Sequence, residues 1–322
     1  MRRGEPTPLD LTKLKLRSAH ERPHLVDVGR FARLPLRGAS VAEWLDALPG
    51  FLGAARLRAA VDAIVAARRA DRAVVFAFGA HVIKVGCGPV VIDLLRRGVV
   101  TAIACNGATA IHDVEAAMLG ATSEDVGESI RDGSFGMVRE TFEFFAEAAR
   151  RGAEADTGLG RAVGALIRER RLPHAGLSVL AAAAELDVPA CVHVAIGTDT
   201  VHMAADADGA TLGRASLADF RRLCAVAVHL GAAAPTGPGG VWCNIGSAVV
   251  LPEVFLKVVA VVRNLGADLD AMNTINMDMI RHYRPGQNVL TRPLIDGRGF
   301  ELLGHHEIML PLLRQAIIER MA

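Results

Sequence analysis

A chain of 322 residues, 51% apolar, with 36 basic and 35 acidic side chains and a formal charge of +1, can bury one large core and shows no compositional break at which to divide it. It has no basic stripe interleaved with aromatics, so nucleic acid is not an expected partner. No run reaches the roughly 18 uninterrupted apolar residues of a membrane span, so no membrane partner is expected either.

The start, MRRGEPTPLDLTKLKLR, has neither the apolar segment nor the small-residue cleavage site of a secretory leader, and the cytoplasm is the expected compartment. Residues 1–40, rich in Arg, Pro and His without a clear period, read as an extension that either wraps the domain or reaches a neighbouring subunit. Residues 41–322 are expected to form a single α/β nucleotide-binding catalytic domain. Val41 to Ala70 carries apolar residues at helical spacing, with a break at Pro49-Gly50. AVVFAFG (73–79) is a strand ending in Gly, followed by a helical pattern to Arg97-Gly98. VVTAIACNG (99–107) is the next strand, followed by the helix of IHDVEAAMLG. TSED (122–125) is a capping signature, and 136–151 and 158–171 are amphipathic helices. A helix over 175–186 leads into the strand PACVHVAIG (189–197). Ser216 can cap a helix over 217–230, GGVWCNIG (239–246) is a buried strand, Pro252-Glu253 opens a helix to Arg263, and LDAMNTIN (269–276) supplies a further strand. Buried strands alternating with helices imply an α/β fold: a Rossmann-like open, mostly parallel sheet with helices on both faces. Right-handed crossovers then bring every strand's carboxyl end to one edge.

Ligands sit beyond that edge, so the residues just after each strand carry the chemistry. They are GAHVIK (79–84), CNGATAIHD (105–113), IGTDTVHM (196–203), NIGSAVVLPE (244–253) and NTINMDMIRHYRP (273–285). Gly107 and Gly246-Ser247 suit sharp strand-to-helix turns that present N–H groups to a phosphate. No G-x-G-x-x-G occurs, so the ordinary dinucleotide fingerprint is absent. Cys87, Cys105, Cys191, Cys224 and Cys243 form no CxxC pair and read as reduced core thiols. His305-His306-Glu307 with His193 and His202 have no established ligand spacing, and no metal is expected.

Taken in order, the five segments resemble the deoxyhypusine synthase family from about residue 73 to 320. GAHVIKVGCGPVVIDLLRRGVVTAIACNGATAIHD parallels its first strand-helix-strand and Gly-rich turn. DVPACVHVAIGTDTVHM parallels its Ile-Pro strand and Asp-Gly-Ser turn, NIGSAVVLPEVF its Gly-Gly-Gly turn, NTINMD its Asn-Thr strand end and HHEIMLPLL its terminal segment. CNGATAIHDVE also resembles, more distantly, a turn of archaeal-type ornithine cyclodeaminases. The resemblance implies bound NAD, with NADP as the alternative, and a homotetramer with sites between subunits. It implies cofactor contacts at His81, Asn106, Gly107, Asp199, Gly246, Ser247, Asn273, Thr274, Asp278, His305 and His306.

One departure is chemical. The family forms an imine on a lysine after the Asn-Thr strand end, whereas the four lysines here are Lys13, Lys15, Lys84 and Lys257. Arg284 and Arg292 stand in that region instead; arginine cannot be the nucleophile but suits a carboxylate or phosphate. The expected substrate is therefore a small anionic molecule, not a polyamine on a protein lysine. His112 reads as a proton carrier or a bystander, Asp113 as its partner or a helix cap, and Lys84 as a desolvated base or a snorkelling surface lysine. His202 and Glu253 complete the expected catalytic set. The leading reading is an NAD-dependent enzyme that transiently oxidises an amine or amino acid to an imine, which then transfers, eliminates or cyclises. The alternatives are a hydrolase or lyase acting on a nucleotide-like substrate and a non-catalytic nucleotide-sensing subunit.

Overall fold

The computed structural model describes residues 7–321 apart from Pro235 and Asp296. In chain order the elements are α1 (Val41–Ala47), α2 (Leu52–Arg69), β1 (Val74–Phe78), α3 (His81–Lys84), α4 (Gly88–Arg96), β2 (Ala102–Asn106), α5 (Gly107–Leu119) and α6 (Val126–Asp132). There follow α7 (Arg139–Glu154), α8 (Leu159–Glu169), α9 (Val179–Glu185), β3 (Ala190–His193), α10 (Gly209–Ala227), β4 (Val241–Ile245) and α11 (Val250–Asn264). The last are β5 (Asn273–Asp278), α12 (Tyr283–Asn288), β6 (Gly299–Leu303) and α13 (His306–Met321). The six strands form one sheet in the order β3-β2-β1-β4-β5-β6, and every pairing is parallel.

The strands are near-continuously apolar because the sheet is covered on both faces. Their alternation divides the core in two. Val74, Phe76, Phe78, Ile103, Cys105, Val192, Cys243, Ile245 and Met277 pack on one face with residues of α2, α4, α5, α7, α8, α9 and α13. Val75, Ala77, Ala102, Ala104 and Trp242 turn to the other face, which α10 and α11 cover. Small side chains on that face leave room for Trp242 to stack on Phe255, with ring centroids 4.4 Å apart.

Helix starts follow local capping chemistry. Ser40 and Glu43 close a capping box on α1, Asp125 caps α6 by accepting from Glu128 N, and Asn106 caps α5 by accepting from Thr109 N. Four expectations shift. The helix after β1 is broken into α3 and α4, with Gly86 at φ +77° between them. The stretch over 175–186 is a 3-10 turn (Ala175–Leu177) and then α9, capped by Ser178. Ser216 lies inside α10, which Asp208 caps; its hydroxyl bridges β3 instead, donating to Val192 O at 3.2 Å and accepting from Val194 N at 3.2 Å. The strand expected over 269–276 starts only at Asn273, because Leu269 and Met272 are core plugs ahead of it, 1% and 0% exposed. The edge strand β6 was not expected.

Residues 7–40 hold three short 3-10 turns (Leu11–Lys13, Ala19–Glu21 and Val28–Arg30) and are exposed throughout. They meet the domain where Gly50 N donates to Arg30 O at 2.8 Å and Arg33 N to Ala47 O at 2.9 Å. Among the described residues no helix is long and apolar enough to cross a membrane.

Candidate functional site

In this strand order the chain leaves β1 toward β2 and β3 on one side, and β4 toward β5 and β6 on the other. The loops after β1 and β4 therefore part, and open a crevice at the carboxyl edge where doubly wound sheets take ligands. Its floor tolerates no side chains. A Cβ on Gly79 would stand 2.3 Å from Gly246 O, and one on Gly246, which is at φ +60°, would stand 3.0 Å from the His306 ring. Below it, Asn244 and Asn276 face each other across β4 and β5. Asn244 Nδ2 donates to Asn276 Oδ1 at 2.8 Å and to Ser247 O at 2.9 Å, which leaves Asn244 Oδ1 buried without a partner. Neither asparagine was singled out from sequence. The signal for them was a polar residue inside an otherwise apolar buried strand. Ser247 is itself buried, and its Oγ accepts from Leu251 N at 3.3 Å, opening α11.

On the β5/β6 side stand His81, Asp278 and His306. The His306 ring is fully buried and lies edge-on to His81, with centroids 5.5 Å apart. Its Nε2 faces Met277 O at 3.3 Å, so the proton sits there and Nδ1, buried without a partner, presents a lone pair. Burial lowers the His306 pKa despite the Met277 carbonyl and Asp278, keeping the ring neutral at neutral pH. Asp278 accepts from Met279 N at 2.8 Å and lies 3.8 Å from His282 Nε2. His305, by contrast, points to solvent, its side chain 67% exposed.

On the β2/β3 side stand Asn106, Gly107, His193, Asp199 and His202. Asn106 and His193 are register partners at the ends of their strands. Asp199 follows β3 and its carboxylate lies against the start of α5, where a Cβ on Gly107 would come within 2.0 Å of Oδ2. Burial raises the Asp199 pKa against the lowering effects of His202 and the Ala108 N–H. The His202 Nδ1 accepts from Gly197 N at 3.2 Å and Asp199 N at 3.3 Å, so its proton sits on Nε2.

The other expected residues are placed elsewhere. His112 and Asp113 are on the second turn of α5, not at its start. The Asp113 carboxylate is buried and accepts from Ser178 Oγ at 2.5 Å, Val179 N at 2.8 Å and Leu180 N at 3.1 Å; it caps α9, a different helix from the one whose start it was expected to cap. His112 Nδ1 meets Thr122 Oγ1 at 2.7 Å, which donates to Glu115 at 2.6 Å. Burial lowers its pKa. Lys84 ends α3 and is exposed, the surface reading of the two. Asn273 and Thr274 are moved to the opposite edge, because β5 begins with them; Thr274 is buried and donates to Val289 O at 2.8 Å. Glu253 joins Arg284, whose Nε is 3.3 Å from its Oε1, and Lys257. Those contacts, the Lys257 hydrogen bond first, lower its pKa. Arg292 donates to Asn288 Oδ1 at 2.9 Å and approaches Tyr283 OH at 3.4 Å. Among the described residues no three His, Cys, Asp or Glu side chains gather to hold a metal.

No protein-family profile matches the chain, and no curated protein does. Solved structures do. A conserved protein from Methanococcus maripaludis S2 assigned to the LOR/SDH group matches at TM-score 0.50 and 13% identity, over 84% of this chain and 71% of that one. A protein from Entamoeba histolytica assigned as a deoxyhypusine synthase matches at TM-score 0.51 and 11% identity, over 88% of this chain and 94% of that one. The chain has their fold. AgrE, crystallised with ornithine and NAD+, matches at TM-score 0.52 and 15% identity over 83% of this chain, which spans 34% of AgrE's length. The deoxyhypusine synthase-like likeness first seen in five strand-end segments is thus a likeness of the whole sheet and its helices.

Proposed function

We propose that the protein is an NAD-dependent enzyme that transiently oxidises a small anionic amine or amino acid to an imine, which transfers, eliminates or cyclises before the hydride is returned. The observation that carries this reading is the crevice between β1 and β4, floored by Gly79 and Gly246 with no space for a Cβ at either, in a sheet of dinucleotide-binding order. AgrE, which shares the fold, binds NAD+ and ornithine, and supports the same class of cofactor and substrate.

NAD bound there would supply a hydride acceptor for a substrate C–H bond. Around it Gly79, His81, Gly246 and His306 would line the crevice and the Asp278 carboxylate would accept from ribose hydroxyls. His202, whose ring proton is on Nε2, would move protons to and from the substrate, and the fully buried His306 would hold the crevice wall. Arg292 fits the substrate's carboxylate, because no carboxylate among the described residues pairs with it, whereas Arg284 is neutralised by Glu253. With Lys84 exposed and Lys257 paired to Glu253, the imine forms on the substrate alone. The catalytic unit is residues 41–322 and the assembly a homotetramer.

Gentle denaturation, mass spectrometry of anything released, and titration of NAD and NADP into the emptied protein test this. Released or micromolar-binding NAD is the expected result; failure of both dinucleotides to bind sinks the redox mechanism. Tight binding of another nucleotide would indicate the hydrolase or lyase, and NAD that no amine reduces would indicate a sensing subunit.

A further inference from the structure

We propose that the protein has a second ligand site, at the amino edge of its sheet, that takes a di- or triphosphate group. The site goes beyond the dinucleotide reading and does not rest on it, because the crevice between β1 and β4 lies at the opposite, carboxyl edge.

All the strand pairings are parallel, so the amino ends of the strands also share one edge. There the turn from α2 into β1, the start of β2 and the turn from α9 into β3 converge with the end of α10 on a cavity of about 590 Å³, within the size range of small-molecule sites. Asp71 and Asp187 make the two turns in the left-handed conformation, at φ +53° and +54°, which aspartate tolerates. The floor is closed by the sheet itself. Thr101 Oγ1 accepts from Val74 N at 2.9 Å and donates to Val74 O at 3.2 Å, and Pro189 O accepts from Ile103 N at 2.8 Å. Donors for a ligand are therefore side chains.

Those donors are Arg68, Arg72, Arg161 and Arg222, with His229 beside them, against Asp71 and Asp187. Four arginines less two aspartates leave an excess of two positive charges in one cavity of a chain whose formal charge is +1. Arg68 is tied to the fold, its Nε donating to Gly98 O at 2.8 Å and its Nη1 to Arg72 O at 2.6 Å. Arg72 donates through Nε to Asp71 O at 3.1 Å, and no carboxylate among the described residues pairs with it. Arg222 donates to the carbonyls of Asp156, at 3.2 Å, and Thr157. The carboxylate it faces, Asp219, is 4.0 Å away, and burial pushes that pKa up to about 7, so the charge of Arg222 is incompletely answered at neutral pH. Arg161 is paired with Asp187 at 2.7 Å, an exposed pair that an incoming anion can part at little cost.

Guanidiniums thus stand on both sides of the cavity, Arg68 and Arg72 from the α2 side and Arg161 and Arg222 from α8 and α10, with too few carboxylates to match them. A single carboxylate can engage one such fork. A phosphate chain offers oxygens on successive phosphorus atoms and can accept bidentate bonds from both sides together. Val188, Pro189, Ala225 and Val226 supply an apolar stretch beside them, which suits the body of a phosphorylated small molecule.

The test uses the full-length chain at physiological ionic strength, where loose surface ion pairing is screened. Inorganic pyrophosphate and ADP are titrated by calorimetry into wild type, Arg72→Gln, Asp187→Asn and Arg139→Gln, the last an exposed charge outside the cavity. Arg72→Gln is expected to weaken both probes about ten- to hundredfold, the loss of a charge-assisted hydrogen bond. Asp187→Asn keeps a residue suited to the left-handed turn and frees Arg161, and should tighten both about two- to fivefold, a gain that a damaged fold cannot produce. Arg139→Gln should bind as wild type does. In wild type, pyrophosphate should slow hydrogen exchange over 70–73 and 187–190, which locates the site even if Arg72→Gln fails to fold. ADP binding tighter than pyrophosphate makes the carrier a nucleotide, and equal binding makes the phosphate chain the whole determinant; both uphold the site. Absence of binding by either probe, unchanged affinity in Arg72→Gln, or protection confined to the carboxyl edge overturns it. Failure of NAD to bind would sink the redox mechanism and leave this site standing.

Discussion

Asp113 and Asp219 show how the same residue type serves structure in a chain rich in strand-end acids. Each is a fully or nearly fully buried carboxylate answered by backbone N–H groups: Asp113 at the start of α9, Asp219 between Gly160 N and Val192 N, both at 2.9 Å. Burial outweighs those bonds and pushes their pKa values up, to about 6 for Asp113 and about 7 for Asp219. A carboxyl that binds its proton more tightly when folded contributes stability that is complete below its unfolded pKa near 3.8 and is lost as pH rises through the folded value. Wild type should therefore lose thermal stability relative to Asp219→Asn as pH rises through about 7, measured as the Tm difference between the two. A pH-independent difference would refute the assignment. Asp113→Asn has a different signature, because its three donors reach both oxygens and an amide leaves one of them unanswered. A loss of about 1–3 kcal/mol in chemical denaturation is expected.

Arg292 carries the residue-scale prediction for activity. Once a substrate is found, Arg292→Gln should raise KM about 10–100-fold with little change in kcat, the pattern of lost uniform binding. An equal fall in kcat and kcat/KM would place Arg292 in the transition state instead.

At the scale of elements, β1, β2 and β4 were legible because each is a short β-branched or apolar run closed by Gly or Asn, and both faces are buried. β5 was legible in kind but not in position. LDAM and TINM are equally apolar, and only packing tells the loop residues Leu269 and Met272 from the strand that follows. A slip of four residues moved Asn273 and Thr274 from the ligand edge to the far edge and brought Asn276 to the ligand edge, beside Asp278, which was expected there. β6 was missed because an edge strand with half-exposed residues has a weak apolar signal. The site's polar residues on loops, Asp199 and His202, were legible as types, but their pairing against α5 depends on a fifteen-residue connection, Val194–Asp208, whose path no local pattern encodes. The crevice floor yields a test at this scale. Gly79→Ala must force the β1 and β4 loops apart, since its methyl would overlap Gly246 O. The expected outcome is destabilisation of about 1–3 kcal/mol together with loss of NAD affinity. A variant as stable as wild type that binds NAD normally would show that the ligand lies elsewhere.

At the scale of the molecule, the folded unit leaves its extension unsatisfied. Leu9, Leu16, Leu25, Leu34 and Leu36 are 85–91% exposed, a density of bare apolar surface that monomers rarely carry. Among the described residues this segment's aromatic contacts with the domain centre on Phe51, which meets the Phe31 ring with centroids 6.4 Å apart and the Arg30 guanidinium at 4.5 Å. Of the two sequence readings, we propose the second, that the segment reaches a neighbouring subunit, where these leucines would be covered. The double variant Leu34→Asp/Leu36→Asp separates the two ideas, because both side chains lie outside the core and their replacement should leave the fold of one chain intact. Light scattering after gel filtration should then give a smaller assembly than wild type, with unchanged far-UV circular dichroism. An assembly of unchanged mass would mean that subunits meet through another surface, and a wild-type monomer would remove the oligomer from the proposal altogether.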